Sequence, residues 1–225
     1  DKAGVNKAVL LPIDAETVWN YRIPNEYIAK TVQRFPDRFV GFASVDPNKG
    51  RKGVWELEEA VKSHQLKGLK LVPYLQEFYP NDKKVYPLYE KAAELDIPIL
   101  THTGQTYGFP IKYCNPIYLD DVACDFPNLK IIAAHGGWPW VEELLAVASK
   151  HDNVYMDLSG WHPKYMPKEL LRYANSLLRD RTLFGTDYPL LLPSVVLPAL
   201  KPMLSDKAKP KILGENAAKL LSLKK

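Results

Sequence analysis

The sequence predicts an α/β fold, a TIM-like (β/α)8 barrel, and three observations support this prediction. Short apolar runs rich in β-branched residues alternate with longer amphipathic stretches, at a spacing of about 30 residues. Polar residues directly follow several of the apolar runs. The 225 residues, of which 46% are hydrophobic and 25% charged, are enough for one sizeable core. We therefore expect a single domain over residues 1–225.

Seven segments are predicted to be strands of a parallel sheet. They are short and apolar, and they cover residues 7–13, 39–46, 68–72, 98–104, 130–137, 154–160 and 182–189. The clearest helical periods between them cover residues 25–36, 52–66, 83–95, 140–151 and 167–178. These stretches are long enough to cross back over a sheet, so parallel strands joined by helices are expected.

The positions of the polar residues decide between an open sheet and a barrel. They collect at the ends of several strands, in THTG (101–104), AHGG (134–137), DLSG (157–160) and GTDYP (185–189). In a barrel these ends converge on one mouth, where active sites lie. An open doubly wound sheet would commonly carry a glycine-rich phosphate loop early in the chain, and none is found. The barrel is therefore preferred.

Composition and charge exclude several classes of protein. The net charge of +4 comes from scattered basic residues, so the sequence predicts no nucleic-acid partner. No apolar run approaches the roughly 18 residues that cross a membrane, and the first residues lack the apolar core of a secretory signal. Cys114 and Cys124 show no metal-binding or disulfide pattern. A cytoplasmic protein that binds a small molecule is expected.

Three residues are candidates for chemistry: His102, His135 and Asp187. Each alone has an ordinary structural explanation, since a buried histidine is often hydrogen-bonded in the core and an aspartate often caps a helix. Together they occupy the ends of the fifth, sixth and last strands of an eight-strand count. Because residues that bind metals or transfer protons rarely coincide in this way by chance, a functional site is favoured.

An ordered set of motifs resembles a known family through essentially the whole chain. The motifs are PILTHTG (98–104), NLKIIAAHGGWPW (128–140), NVYMDLSG (153–160), LFGTDYP (183–189) and ILGENAAKLL (212–221). They resemble the amidohydrolase-related branch of the metal-dependent amidohydrolase superfamily, which contains decarboxylases of muconate-type and aromatic acids and also lactone and carbon–carbon hydrolases. The resemblance implies a TIM-like barrel with one divalent metal, zinc first and manganese as the alternative, and, with exposed apolar helix faces, a homodimer or higher homo-oligomer.

The resemblance also implies roles for individual residues. His102 matches a histidine that binds the metal, and Asp187 matches an aspartate that binds the metal and holds its water. His135 matches the histidine beside the metal that acts as general acid or base. This role suits imidazole, which titrates near neutrality, as does water bound to a catalytic metal.

The sequence departs from the family pattern at its start. The family opens with a strand ending in His-x-His or Glu-x-His, whose residues supply two metal ligands, whereas the first histidine here is His64. Residues 1–14 instead resemble the second strand of the family and the end of the preceding helix. The first βα unit is therefore expected to be missing from this sequence, and the metal site to be incomplete.

Secondary site residues are predicted around the same mouth. Lys70 lies in the strand at 68–72 and suits an acidic substrate; carboxylation of this lysine to bridge two metals is the less favoured alternative. Asp157 and Ser159 are expected either to orient the metal ligands without binding the metal themselves, or to form a turn. Aromatic residues after strand ends are expected either to line a planar pocket or to pack within loops; they are Tyr74, Phe78, Tyr107, Trp138 and Trp161.

The function expected from these features is a metal-dependent hydrolase acting on a small carboxylated, lactone or carbonyl compound. In this reaction metal-bound hydroxide, held by Asp187, attacks the substrate, and His135 assists. The alternative is a non-oxidative decarboxylase of an aromatic or muconate-type acid, which needs the same residues. A further alternative is an inactive truncated barrel that only binds a ligand or partner.

Overall fold

A computed structural model describes residues 3–223 and contains ten strands. Their bounds are β1 Ala8–Leu10, β2 Asp14–Ala15, β3 Tyr21–Arg22, β4 Phe39–Gly41, β5 Ala43–Ser44, β6 Leu69–Leu71, β7 Ile99–His102, β8 Ile131–Ala134, β9 Val154–Asp157 and β10 Thr182–Leu183. Each of the seven predicted segments contains an observed strand. The observed strands are shorter because the polar residues at the predicted ends belong to loops.

The parallel strands follow one another around the molecule in chain order. Strands β5 to β10 form a six-stranded sheet in the order β10-β9-β8-β7-β6-β5, and β1 pairs with β4. Phe42 separates β4 from β5 and joins the two sheets: the Phe42 amide donates to Leu10 O at 3.0 Å, and the Ala43 amide donates to Gly68 O at 2.7 Å. The order of neighbours is that of a barrel, as predicted. Within residues 3–223, β1 and β10 remain its two edges.

Ten α-helices connect the strands in the described chain. Their bounds are α1 Glu16–Trp19, α2 Asn25–Arg34, α3 Arg51–Lys62, α4 Pro73–Gln76, α5 Tyr86–Glu94, α6 Tyr118–Asp125, α7 Val141–Lys150, α8 Lys168–Ala174, α9 Pro193–Leu200 and α10 Asn216–Leu220. All five predicted helical stretches contain a helix. In the part of the chain that the structure describes, no helix combines the length and the apolar character needed to cross a membrane.

Successive side chains of each strand point alternately into two apolar cores on opposite faces of the sheet, as the period of two in a strand requires. Residues such as Leu69, Ile99 and Ile131 pack outward against the helices in the larger cluster. The smaller cluster lies on the opposite face of the sheet; its buried members are Phe42, Leu100, Ile132, Ala134, Leu183 and Leu220. Lys70 stands opposite Leu100 in the strand register. This lysine therefore shares the inner face with an apolar layer.

A short antiparallel hairpin, β2–β3, is the one described strand pairing that the sequence prediction lacked. Asp14 pairs with Arg22 and Ala15 with Tyr21. The predicted strand at 7–13 in fact ends at Leu10, two residues before Pro12, which cannot donate to a ladder. Buried and partly exposed ions connect the hairpin to α3. We call this group the hairpin ion cluster; its members are Asp14, Glu16, Arg22, Lys49 and Glu56.

Candidate active site

A cavity of about 410 Å³ lies where the carboxyl ends of the strands converge. It brings together four predicted site residues from different strands, namely Lys70, His102, His135 and Asp187. Tyr74 and Trp161 also line it, as predicted for substrate-binding residues. The clustering of these side chains was expected from their positions at strand ends, and the structure places them around one space. Their chemical roles remain predictions.

The two histidines of the cavity face each other. The ring centroids of His102 and His135 are 4.6 Å apart, at an interplanar angle of 52°. Burial, together with His135 and Lys70 nearby, holds the pKa of His102 well below its usual value. Burial and the charge of Lys70 lower the pKa of His135 to about 3. Both rings are therefore neutral at pH 7, and each carries one nitrogen with a lone pair.

Hydrogen bonds orient both imidazoles. Nε2 of His102 lies 2.9 Å from Gln105 O, an acceptor, so Nε2 carries the proton and Nδ1 carries the lone pair. Nδ1 of His135 lies 2.8 Å from Ser159 Oγ. The Ser159 amide donates to Asp157 Oδ1 at 2.6 Å. The predicted pair Asp157 and Ser159 thus lies behind His135, and Nε2 of His135 is left for a ligand in the cavity.

The backbone is unusual at two of the candidate residues. His135 has φ of +69° and Asp187 has φ of +59°, both in the left-handed region that residues with a side chain seldom adopt. Such conformations cost about 1–3 kcal/mol each and cluster at functional sites. Gly136 follows with φ of +64°, and a Cβ there would lie 2.7 Å from Leu170 Cδ2. The left-handed backbone of the turn after β8 therefore favours glycine at position 136.

One cation and two carboxylates set the electrostatics of the cavity. Burial lowers the pKa of Lys70 to about 8, and the charges of Asp157 and Asp187 only partly oppose this shift. Burial raises the pKa of Asp157 and of Asp187, while Lys70 opposes both shifts. Among the described residues, no carboxylate lies within ion-pair distance of Lys70 Nζ. Its charge is therefore available to an anion that enters the cavity.

The aromatic wall differs in part from the prediction. Tyr74 packs edge-on against His102 with centroids 4.7 Å apart, and Tyr107 lines the loop side. Phe78 is fully buried in the larger core, so of the two alternatives it packs within the protein and does not line the pocket. Trp138 is outside the cavity lining; it is 42% exposed, and its ring centroid lies 6.0 Å from that of Trp161. Trp138 therefore does not line the cavity, and its contact with substrate stays a prediction.

Several lining residues were not among the predictions. They come from the loops after β1, β7, β9 and β10, and they are Leu11, Ile13, Gln105, Thr106, Tyr165, Leu190 and Leu191. Their position just after strand ends was the available signal. Sequence alone does not indicate which loop residues turn inward, because loop conformation depends on contacts with other loops.

The donors in the cavity are of the types that a divalent metal takes, but they do not form a complete set. Two neutral imidazoles and a carboxylate are suitable ligands for zinc or manganese. In residues 3–223, the group of three such side chains whose ligand atoms lie within 4.8 Å of one another is elsewhere, at Asp120, Cys124 and His151. His102, His135 and Asp187 alone therefore do not converge on one point, and full coordination requires further ligands.

The fold and the cavity together define the class of this protein. A TIM-barrel arrangement with polar and strained residues at the carboxyl ends of its strands is typical of enzymes with that fold. Residues 13–223 match the family model described as amidohydrolase. The chain belongs to the amidohydrolase family, as the motifs indicated.

Two curated relatives show the range of reactions among similar proteins. The chain is 23% identical over 235 residues to 2-amino-3-carboxymuconate-6-semialdehyde decarboxylase of Dictyostelium discoideum, covering 88% of this chain and 65% of the relative. It is 29% identical over 133 residues to 2-keto-4-carboxy-3-hexenedioate hydratase of Sphingobium, covering 50% and 39%. The chain thus spans less than two thirds of the length of each.

Solved structures confirm the fold. An uncharacterized TIM-barrel protein from Bordetella bronchiseptica superposes with a TM-score of 0.89 at 29% identity, covering 98% of this chain and 79% of that one. The 5-carboxyvanillate decarboxylase of Novosphingobium aromaticivorans, in complex with manganese and 4-hydroxy-3-methoxy-5-nitrobenzoic acid, gives 0.76 at 20% identity, covering 99% and 78%. The second likeness, at this identity, concerns the fold alone.

Proposed function

We propose that the protein is a metal-dependent carboxy-lyase, which removes a carboxyl group without oxidation from a small aromatic or muconate-type acid. The sequence favoured a hydrolase and kept decarboxylation as the alternative. Decarboxylases among the similar proteins support the alternative more strongly, whereas hydrolysis is supported only by the general name of the family. The proposal therefore reverses the order of the two expectations.

The observation that carries the proposal is the unpaired ammonium of Lys70 in an aromatic-walled cavity. A substrate carboxylate is the natural partner of this cation, because Lys70 has no carboxylate of its own at ion-pair distance among the described residues. Tyr74 and Trp161 offer ring faces and edges to a planar, unsaturated molecule. A cavity of about 410 Å³ is within the range of small-molecule sites.

His102 and Asp187 would hold the divalent metal, with manganese or zinc suited to their imidazole and carboxylate groups. When bound, the metal supplies positive charge that binds the substrate's oxygen atoms and stabilises the negative charge that develops on them. The neutral state of His102 suits this role, because a ligand imidazole must offer a lone pair.

His135 is proposed to deliver the proton that replaces the carboxyl group. The bond between the substrate carbon and the carboxyl carbon breaks, carbon dioxide leaves, and the electron pair that stays on the substrate carbon takes a proton from Nε2 of His135. The approach of an anionic substrate raises the pKa of this imidazole, which offsets the burial and the Lys70 charge that otherwise keep it neutral. Ser159, at Nδ1, keeps the ring in one orientation throughout.

Addition or hydrolysis by water is the second candidate, and the similarity to a hydratase over half of this chain favours it. Lys70, His135 and Asp187 would serve such a reaction equally well, since a carboxylated substrate and a proton carrier are again needed. The two candidates differ in their products, because only decarboxylation releases carbon dioxide.

The test incubates the protein, supplied with manganese or zinc, with hydroxybenzoates and unsaturated dicarboxylic acids. We expect carbon dioxide release with at least one acid, and in deuterium oxide the product should carry one deuteron at the carbon that lost the carboxyl group. Lys70→Met should abolish most of this release, while Lys67→Met, which changes an exposed lysine, should not. Products that gain water without carbon dioxide release would contradict the decarboxylase proposal and support the second candidate.

A further inference from the structure

A second group of metal-ligating side chains lies outside the cavity, between α6 and α7. Asp120 and Cys124 are four residues apart on α6 and therefore share one face of that helix. His151 follows the last residue of α7 and lies against them. The carboxylate, thiol and imidazole donor atoms all lie within 4.8 Å of one another.

The three side chains meet at a single ring nitrogen. Nε2 of His151 lies 2.6 Å from Asp120 Oδ1 and 4.0 Å from Cys124 Sγ. A catalytic relay of cysteine, histidine and aspartate would place the thiol and the carboxylate at opposite nitrogens of the ring, so that a proton could pass through it. Here both face the same nitrogen. This arrangement suits a cation shared by three donors and excludes the relay.

We propose that Asp120, Cys124 and His151 bind a zinc ion that joins α6 to α7. Sulfur, nitrogen and carboxylate oxygen are the three ligand types of protein zinc sites, and the exposed side of Cys124 leaves room for water as the fourth ligand. The site is separate from the cavity, and it does not depend on the proposed function.

Small side-chain movements are enough to admit the ion. Zinc–ligand distances of about 2.0–2.3 Å place the donor atoms of a tetrahedral site about 3.3–3.6 Å apart. Asp120 Oδ1 must therefore move away from His151 Nε2, and Cys124 Sγ must move toward that nitrogen. Each of these two distances changes by less than about 1 Å. The Asp120 side chain is 30% exposed and Cys124 lies at the surface, so both can make this adjustment.

Lys150 competes with the metal for the carboxylate. Its Nζ lies 2.9 Å from both oxygens of Asp120. Hydrogen bonds from Lys150 and then His151 lower the pKa of Asp120, so the carboxylate is charged and able to bind a cation. The Lys150 side chain is 56% exposed and can turn into solvent when zinc enters. Removal of this lysine should therefore strengthen metal binding.

The experiment titrates cobalt, a spectroscopic substitute for zinc, into the purified, chelator-treated chain. Cobalt bound to a thiolate gives an intense charge-transfer absorption, so the band reports on cysteine and not on the cavity. We expect a band that saturates at about one cobalt per chain and disappears when zinc is added. Zinc should also raise the Tm, because binding to the folded state stabilises it.

Variants assign the band to this site. Cys124→Ser should remove it, and His151→Ala should weaken cobalt binding by more than about tenfold. Cys114→Ser changes the other cysteine, which is buried, and should keep the band. A double variant of the cavity, His102→Asn with Asp187→Asn, should also keep it, so the outcome is independent of the carboxy-lyase proposal. Lys150→Met should lower the cobalt Kd.

Two results would overturn the inference. The first is a wild-type chain without a thiolate band and without a rise in Tm on addition of zinc, which would mean that the three side chains form only a hydrogen-bonded cluster with Lys150. The second is a band that persists in Cys124→Ser. Because Cys124 is exposed, this substitution is not expected to disturb folding, and circular dichroism of the variant checks that expectation.

Discussion

Two lysines of this molecule, Lys49 and Lys70, turn their side chains away from solvent and have opposite surroundings. The side chain of Lys49 is 5% exposed, and the whole Lys70 residue is 7% exposed. Nζ of Lys49 lies 2.7 Å from Asp14, 2.7 Å from Glu16 and 3.1 Å from Glu56. Nζ of Lys70 has no carboxylate within ion-pair distance in residues 3–223. Lys49 is thus paired with the carboxylates of the hairpin ion cluster, whereas Lys70 lacks such a partner among the described residues.

The pKa values of the two lysines express this difference. Burial lowers the pKa of Lys49, but its hydrogen bonds with Asp14, Glu16 and Glu56 outweigh burial, and the pKa is raised overall. For Lys70 burial dominates, and the pKa falls to about 8. A buried charge that is fully paired supports the fold, and one left unpaired beside a cavity is held for a ligand. The presence or absence of a partner carboxylate therefore separates the two roles.

The largest expected effect is on stability at the hairpin. Lys49→Met should lower the free energy of unfolding by about 3 kcal/mol, because it leaves the buried carboxylates of Asp14 and Glu56 without their closest cation, and Arg22 lies farther away. Chemical denaturation measures this value. Lys52→Met removes a lysine whose side chain is 67% exposed and should cost less than about 1 kcal/mol. Similar losses for the two variants would contradict the comparison.

The next effect concerns activity at the cavity. Under the proposed function, Lys70→Met should lower kcat/KM for a carboxylated substrate by about 100-fold, equivalent to about 2.7 kcal/mol. The same change should alter the free energy of unfolding by less than about 1 kcal/mol, since no ion pair is broken. Steady-state kinetics and denaturation of the same preparation test both statements. A large loss of stability with normal turnover would reverse the roles assigned to Lys49 and Lys70.

A smaller effect is expected from the serine that orients His135. Ser159→Ala removes the hydroxyl 2.8 Å from His135 Nδ1 and should reduce kcat by about tenfold with little change in KM. Ser149→Ala is the matched control, because Ser149 Oγ is buried with no hydrogen-bond partner in the described chain. Equal effects of the two substitutions would mean that Ser159 does not position the imidazole.

The smallest effect is a pH dependence within the hairpin ion cluster. The hydrogen bond and charge of Lys49 lower the pKa of Glu16 below its usual 4.5. The resulting stabilisation is complete above pH 4.5 and is lost as the pH falls through the lowered pKa. The Glu16 side chain is 41% exposed, so Glu16→Gln should cost less than about 1 kcal/mol at pH 7. A difference between wild type and Glu16→Gln that grows in acid would show the sign to be wrong.

The residues at the strand ends differ in how well the sequence predicted their positions. The strands that carry Lys70, His102 and His135 were predicted from local apolar periods, and their polar ends indicated the mouth of a barrel. Trp138 was assigned to substrate binding by the same rule and does not line the cavity. A position after a strand end restricts a residue to the mouth, but it does not fix whether the side chain turns inward.

No local sequence pattern indicates which residues form ion pairs with the hairpin. Asp14 and Lys49 are 35 residues apart, and neither belongs to a recognisable motif. The same holds for Asp120 and His151, which are separated by 31 residues and are brought together by the tertiary structure. Contacts of this kind depend on the order of strands in the barrel, which sequence periodicity indicates only in outline.

The sequence by itself determined the alternation of strands and helices, the family, and the residues of chemical character at the strand ends. These features depend on neighbours along the chain, which apolar periods and motifs record. The tertiary structure decided which charges are paired, which imidazoles are neutral and which aromatic residues face the cavity. Those properties depend on burial and on distances across the fold, because desolvation and Coulomb interactions act through space and not along the chain.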